Sequence, residues 1–289
     1  MRFSRESADI YVPDGSDASV ALSRVTHVAV AAHADDVEIM ACEGILACFG
    51  IPDKHFLAVI MTDGAGSPRD GLYASYTDEQ MRAVRKQEQR KAAYVGEYSA
   101  VAFLDHPSSA IKNPANADPK EDLKAMFSLM RPEVVYTHNL ADKHDTHVGV
   151  ALRTVAALRE MPPERRPRKL LGCEVWRGLD WMVDSYKVIM CRDRHENLAM
   201  SLVGVFDSQI VGGKRYDIAT MGRRRANATY LESHAVDVSQ MVNFAMDLTP
   251  LIADGDADIT DFVQEYVRRF AGDVSARLAK LSAFGVSRS

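Results

Sequence analysis

The sequence predicts an α/β fold: a mostly parallel sheet with helices on both faces, continued by a helical C-terminal extension. Three observations lead there. Short apolar runs recur through the first half of the chain, segments of helical spacing separate them, and two of those segments open with capping residues. Runs that are apolar along their whole length fit strands buried on both faces. Alternation of strand and helix gives right-handed βαβ units, and hence a parallel sheet.

The first strand is expected at 25–32, and its apolar run over 28–32 ends at His33-Ala34-Asp35-Asp36. A helix follows over 36–49, then strands at 56–61, 101–104 and 133–137, with helices at 78–94 and 119–130 between them. Thr77 and Gln80 have the spacing of a capping box; Asp118 and Glu121 repeat it, with Pro119 just inside the helix. Gly96 and Pro132 stand where these two helices should stop. Two more strands, 169–176 and 186–191, precede helical patterns at 195–206 and 216–232. Over 259–284, Phe262, Tyr266, Phe270, Val274, Leu278 and Leu281 recur at helical spacing, so an amphipathic helix is expected to pack against the body. Its apolar face also permits a homo-oligomer. The division read from this pattern is an α/β domain over 1–235 and a helical extension over 236–289 packed on it.

Composition narrows the partners. A net charge of -5 offers no bulk attraction to nucleic acid or to an acidic membrane surface. Arg223-Arg224-Arg225, the one basic run, reads as a solvated helix face. Cys42, Cys48, Cys173 and Cys191 form no CxxC pair, which fits free thiols in a reducing compartment. With no secretion-type leader and no apolar window of membrane length, the expected location is the cytoplasm.

The chemistry is concentrated at two strand ends. In the common doubly wound, Rossmann-like order the first and fourth strands are neighbours, and ligands bind beyond their carboxyl ends. The first ends at His33, Asp35 and Asp36; the fourth runs into His138, Asp142, His144, Asp145 and His147. His33, Asp36 and His147 would supply mixed nitrogen and oxygen ligands and leave a position open for water, as in a catalytic zinc site. Fe2+, Co2+ or Mn2+ would suit the same donors. His138 is a rival third ligand. The plainer alternative makes these histidines ordinary polar residues and the two aspartates helix caps.

These residues resemble the PIG-L/LmbE superfamily of zinc-dependent N-acetylglucosaminyl deacetylases. Its His-Pro-Asp-Asp signature is similar to His33-Ala34-Asp35-Asp36, and its His-Pro-Asp-His signature to His144-Asp145-Thr146-His147. Landmarks between and beyond them also fit: Thr62-Asp63-Gly64, Arg85 with Glu88, Phe103-Leu104-Asp105, Ser208-Gln209 and Tyr230 with Glu232. The resemblance spans about 24–233. It implies an LmbE-like fold, a Zn2+ cofactor on His33, Asp36 and His147, and Asp35 as general base. It further implies His144 as the catalytic group that stabilises the oxyanion, and contact of Arg85 and Asp63 with the sugar. Thr146 replaces the aspartate that serves the catalytic histidine, so Asp145 or Asp142 is expected to stand in for it. Ala65 and Ser108 replace acidic residues at substrate-facing positions, which points to a different sugar or acyl group.

The implied reaction removes an acetyl or other small acyl group from an N-acetylglucosamine-type amide. A related amidase acting on a thiol conjugate or a secondary-metabolite intermediate would share the site. A purely sugar-binding member has no use for a base beside a metal. A nucleotide-binding module is disfavoured because no Gly-x-Gly-x-x-Gly follows the first strand, and a serine hydrolase because no Gly-x-Ser-x-Gly elbow occurs.

Overall fold

Consecutive strand residues feed two different cores, and that alternation organises the molecule. Val28 and Val30 pack with Leu57 and Val59 on one face of the sheet; Ala29 and Ala31 pack with Phe56, Ala58 and Ile60 on the other. The computed structural model describes residues 2–191 and 193–282. Its strands are β1 (Asp9–Tyr11), β2 (His27–Ala31), β3 (Phe56–Thr62), β4 (Ala100–His106), β5 (Val134–His138), β6 (Lys169–Cys173), β7 (Val188–Cys191) and β8 (Val242–Asp247). They form one sheet of order β1-β4-β3-β2-β5-β6-β8-β7. The pairs from β4 through β3, β2 and β5 to β6 are parallel; β1, β8 and β7 join antiparallel. The expected α/β class and the predicted neighbours, β2 beside β5, are both present.

The first helices are α1 (Ala18–Ser23), α2 (Asp36–Met40), α3 (Cys42–Cys48), α4 (Asp78–Val95), α5 (Ser108–Lys112) and α6 (Asp118–Ser128). Then come α7 (Asp145–Arg159), α8 (Glu196–Gly204), α9 (Asp207–Ile210), α10 (Tyr216–Thr229), α11 (Thr249–Ala253) and α12 (Ile259–Ser282). The capping box of α4 forms as expected, with Thr77 and Gln80 bonded reciprocally and Gly96 closing the helix. That of α6 does not: the N-cap is Ala117, and Asn116 accepts the Asp118 N–H instead. The single helix expected over 36–49 is interrupted at Ala41, which separates α2 from α3.

Two larger differences concern the C-terminal half. The segment assigned to a helical extension contains β8, which lies between β6 and β7, so the boundary at 235/236 falls within the sheet domain. The arginine run is not a solvated face. Arg224 is buried and donates to the carbonyl of Glu38, Arg223 donates to that of Val175, and Arg225 pairs with Glu196. The amphipathic helix is present as α12; positions 283 and 284 of the expected span lie outside the described residues. No described helix is long and apolar enough to cross a membrane, and no disulfide joins the four cysteines among the described residues.

Candidate metal centre and active site

Two adjacent strand ends build the site. The parallel pairing of β2 with β5 brings the segments that follow them to the same edge of the sheet. The Ala32 carbonyl accepts from both the N–H and the hydroxyl of Thr62, which anchors the end of β2 to β3. Beyond it the chain turns sharply enough that Asp35 takes φ 92°, a conformation costly for a residue with a side chain. Gln89 of α4 holds this turn: its Oε1 accepts from the Asp35 N–H at 3.3 Å, and its Nε2 donates to the buried Glu38 at 2.7 Å. The turn folds Asp36 back over His33. Asp36 Oδ2 accepts from the His33 N–H at 2.8 Å and lies 3.1 Å from His33 Nδ1.

From the other side, the first turn of α7 presents His147. Its Nε2 lies 3.3 Å from both Asp36 Oδ2 and His33 Nδ1, and its Nδ1 lies 3.5 Å from Asp142 Oδ2. When the His147 ring is neutral, a proton on Nδ1, facing Asp142, leaves Nε2 bare. Two imidazoles and a carboxylate thus offer one donor atom each, all within 4.8 Å of one another. This donor set fits a divalent ion, with Asp142 in the place of the carboxylate that orients a ligating histidine.

His138 makes a second grouping with Asp142 and His147. Its Nε2, however, accepts the Ala32 N–H at 2.9 Å, so that lone pair is engaged. The ring stacks on His147 with centroids 3.9 Å apart. Packing and positioning, rather than ligation, follow from that contact.

The two neighbouring aspartates differ in electrostatics. Burial raises the Asp35 carboxyl to about 7, a shift opposed by Arg85 and reinforced by Asp36. Burial also acts on Asp36, but His147 and His33 outweigh it and hold that carboxyl well below its ordinary value. For His147, burial opposes the charged ring, yet Asp36 and Asp142 raise it to about 9. His144 is lowered, by burial first and then by His147 and His33. Its Nδ1 is buried without a hydrogen-bond partner among the described residues.

Above these groups lies a cavity of about 440 Å³ lined by His33, Asp35, Asp36, Arg85 and His144. Arg85 is buried, donates to the Ala34 carbonyl and lies 3.4 Å from Asp35. Gly64 crosses directly over it: φ is +71°, and a Cβ there would sit 3.3 Å from Arg85 Cγ. Asp63 does not line the cavity. It pairs with Arg82 at 3.0 Å and accepts the Ala65 N–H, so it braces the loop rather than facing the cavity. Asp145 is exposed at the start of α7 and makes no hydrogen bond to the His144 ring. Asp142 is the nearer carboxylate, accepting the His144 backbone N–H at 3.0 Å while its other oxygen faces His147.

Sequence reasoning passed over part of the wall: Trp176, Lys112, Lys214 and Tyr216. Trp176 stands just past the end of β6, so the rule that picked out the other two clusters would have found it. Glu88 accepts from the Ser208 N–H and hydroxyl at 2.7 and 2.6 Å, which docks α9 on α4 and sets Gln209 in the wall.

This geometry coincides with a sequence match. The model of the family described as PIG-L, GlcNAc-PI de-N-acetylase, matches residues 28–158, a span holding every candidate ligand. The matched segment, a little under half of the chain, is similar to that family. Among curated proteins no sequence match was found. Solved structures share the fold. A conserved protein from Thermus thermophilus is 20% identical with a TM-score of 0.57, covering 80% of this chain and 98% of that one. An N,N'-diacetylchitobiose deacetylase from Pyrococcus horikoshii is 14% identical with a TM-score of 0.61, covering 82% and 88%. A 4-carboxy-2-hydroxymuconate hydratase from Pseudomonas putida is 15% identical with a TM-score of 0.55, covering 78% and 95%. Proteins that share this fold therefore carry more than one chemistry, and a function must be argued from the site.

Proposed function

We propose that the protein is a zinc-dependent N-deacetylase that removes an acetyl or other small acyl group from an N-acetylglucosamine-type amino sugar. One observation carries the reading: the donor atoms of His33, Asp36 and His147 converge beside an aspartate, Asp35, that is buried, non-capping and raised to about 7. A carboxyl titrating near neutrality is suited to accept a proton and return it within one turnover.

A divalent ion on the three donors would supply polarisation of a water and of the acyl carbonyl, bringing the water's pKa towards neutrality. Asp35 takes the proton of the attacking water and passes it to the leaving amine, completing cleavage of the C–N bond to an acid and a free amine. Arg85 keeps the Asp35 carboxylate oriented. His144, held towards its neutral form, donates a hydrogen bond to the carbonyl oxygen as charge develops there. Asp142 orients His147 and fixes the backbone of the loop that carries His144. Cys42, Cys173 and Cys191 as free thiols support a reducing, cytoplasmic setting.

The test is primary-amine release from a panel of N-acetylglucosamine-containing small molecules, comparing zinc-loaded protein with its Asp35→Asn variant. Release by the parent alone is expected. Equal release by both proteins, or none by the parent while zinc stays bound, would overturn the reading.

A further inference from the structure

Two buried side chains of α4, one turn apart, hold a single peptide unit at both ends. The Ala34 carbonyl accepts from Arg85, and the N–H of the same peptide, that of Asp35, donates to Gln89 Oε1 at 3.3 Å. Rotation about the bond that follows sets φ of Asp35 at 92°, which is where the turn carries its strain. Asp35 is the N-cap of α2, yet its side chain makes no capping bond and lines the cavity instead. The direction of the carboxyl is therefore decided by how that peptide is held.

The Gln89 amide is itself oriented. A backbone N–H can only donate, so the amide oxygen must face Asp35 and the amide nitrogen must face away from it. There Nε2 donates to Glu38 Oε1 at 2.7 Å, and the same oxygen accepts the Tyr98 hydroxyl at 2.8 Å. Glu38, Gln89 and Tyr98 are all buried, and Arg224 donates to the Glu38 carbonyl at 2.7 Å. Glu38 Oε2 has no hydrogen-bond partner among the described residues, so the carboxyl acts through one oxygen. Neither Glu38 nor Gln89 is part of the described cavity wall. A buried carboxyl and amide cost desolvation, and what this pair returns is one fixed orientation.

We propose that Gln89 and Glu38 are positioning residues for the base: with Arg85 they clamp the peptide between Ala34 and Asp35, so that the Asp35 carboxyl points at the metal centre and not back at the start of α2. The inference rests on the deacetylase reading and extends it to two residues that touch neither substrate nor ion. Released from Gln89, the peptide can turn and relieve the strain at Asp35. The carboxyl then moves while His33, Asp36 and His147 keep their mutual contacts. A displacement of about 1 Å is enough to slow the chemistry by up to about a hundredfold.

Three variants of the zinc-loaded protein test this. Gln89→Met and Glu38→Met open the clamp by two routes, so a failure of one to fold leaves the other; Glu38→Gln keeps an oxygen for both donors. Amine release is followed on the member of the N-acetylglucosamine panel that the parent turns over fastest. Either Met variant should lower kcat roughly ten- to a hundredfold, with KM and the zinc Kd each within about threefold of the parent. Glu38→Gln should keep kcat within about threefold. Hydrogen exchange of the Asp35 amide, read by NMR, should quicken at least about tenfold in the Met variants. An unchanged kcat in both Met variants, a kcat that falls only together with zinc binding, or a Glu38→Gln variant as slow as Glu38→Met would overturn the clamp. Unchanged exchange at Asp35 would overturn it without reference to any substrate. Faster exchange in variants of a parent that releases no amine would leave the clamp standing and count against the deacetylase reading.

Discussion

Asp35 and Asp36 are chemically identical, adjacent in sequence and both buried, yet the fold pushes their carboxyls in opposite directions. Imidazoles face Asp36, which favours its charged form; Asp35 has Arg85 near it but suffers a desolvation that exceeds the benefit. Substitutions should therefore separate two phenotypes. On the proposed zinc-dependent reading, Asp35→Asn is expected to retain bound zinc while turnover falls by roughly a hundredfold or more, whereas His147→Ala should lose the metal. Metal analysis beside amine release checks both, and equal metal loss would mean that base and ligand had been exchanged. Asp142→Asn should weaken zinc affinity by about 10–100-fold, because Asp142 faces His147 Nδ1. A chelator competition reads that constant; an unchanged value would remove Asp142 from the centre. At this scale the sequence was legible wherever chemistry and spacing coincide. His33, Asp36 and His147 meet as expected. What spacing could not reveal is which nitrogen of His138 is engaged, since its partner is a backbone N–H 106 positions away. Nor could it reveal that Asp63 turns to Arg82, an orientation decided by the packing of α4.

At the scale of elements, unbroken apolar runs announced the parallel strands, and neighbouring strand ends then explained how two distant clusters share one site. Elements with weak local signals were lost. Helix α7 follows His144 without a side-chain cap, and its first turn holds the candidate ligand His147, so no helix was expected there. β1 is three residues long, and β8 is recognisable as a strand only through β6 and β7 on either side. Fit between elements is equally non-local. On Gly44 of α3 a Cβ would lie 2.5 Å from the ring of Tyr136, which is buried and donates its hydroxyl to Glu43. Gly44→Ala should destabilise the fold by about 1–3 kcal/mol in urea titration, as overpacking does, and a neutral result would mean that α3 can shift freely. The N-terminal segment is tied to α6 in a pH-dependent way. Burial disfavours the charged Asp122, but hydrogen bonds from His106 and Ser4 prevail and hold its carboxyl below the ordinary value. A lowered folded-state pKa gives stability that is present above the unfolded value of about 3.9 and is lost as pH falls through the folded one. Asp122→Asn should accordingly cost about 1–3 kcal/mol at neutral pH, and the gap from the parent should close in acid. A gap that is constant with pH would assign the effect to packing alone.

For the molecule as a whole, the sheet is the unit of stability, and α12 belongs to it only in part. Ile259, Phe262, Val263 and Tyr266 pack against the core, and Arg269 lies over the Tyr186 ring at 4.0 Å. Phe270 meets the edge of Trp181 at 6.3 Å; further along, Val274, Leu278 and Leu281 are exposed. Helical periodicity foretold an amphipathic helix, but it could not say how far the body extends beneath it. That depends on where β7 and the loop before it end, a property of the assembled fold. The helix should thus divide into a docked part and a free part. A chain ending at 270 is expected to unfold within about 1 kcal/mol of the full chain in urea, since the removed residues bury little. A chain ending at 258 gives up four partly buried apolar side chains and should lose about 3 kcal/mol or more. Sedimentation of the full chain beside the chain ending at 270 supplies the necessary control. If the shorter chain were both much less stable and smaller in assembly state, the exposed stripe would be covered by a second copy, and the stability of the molecule would depend on its concentration.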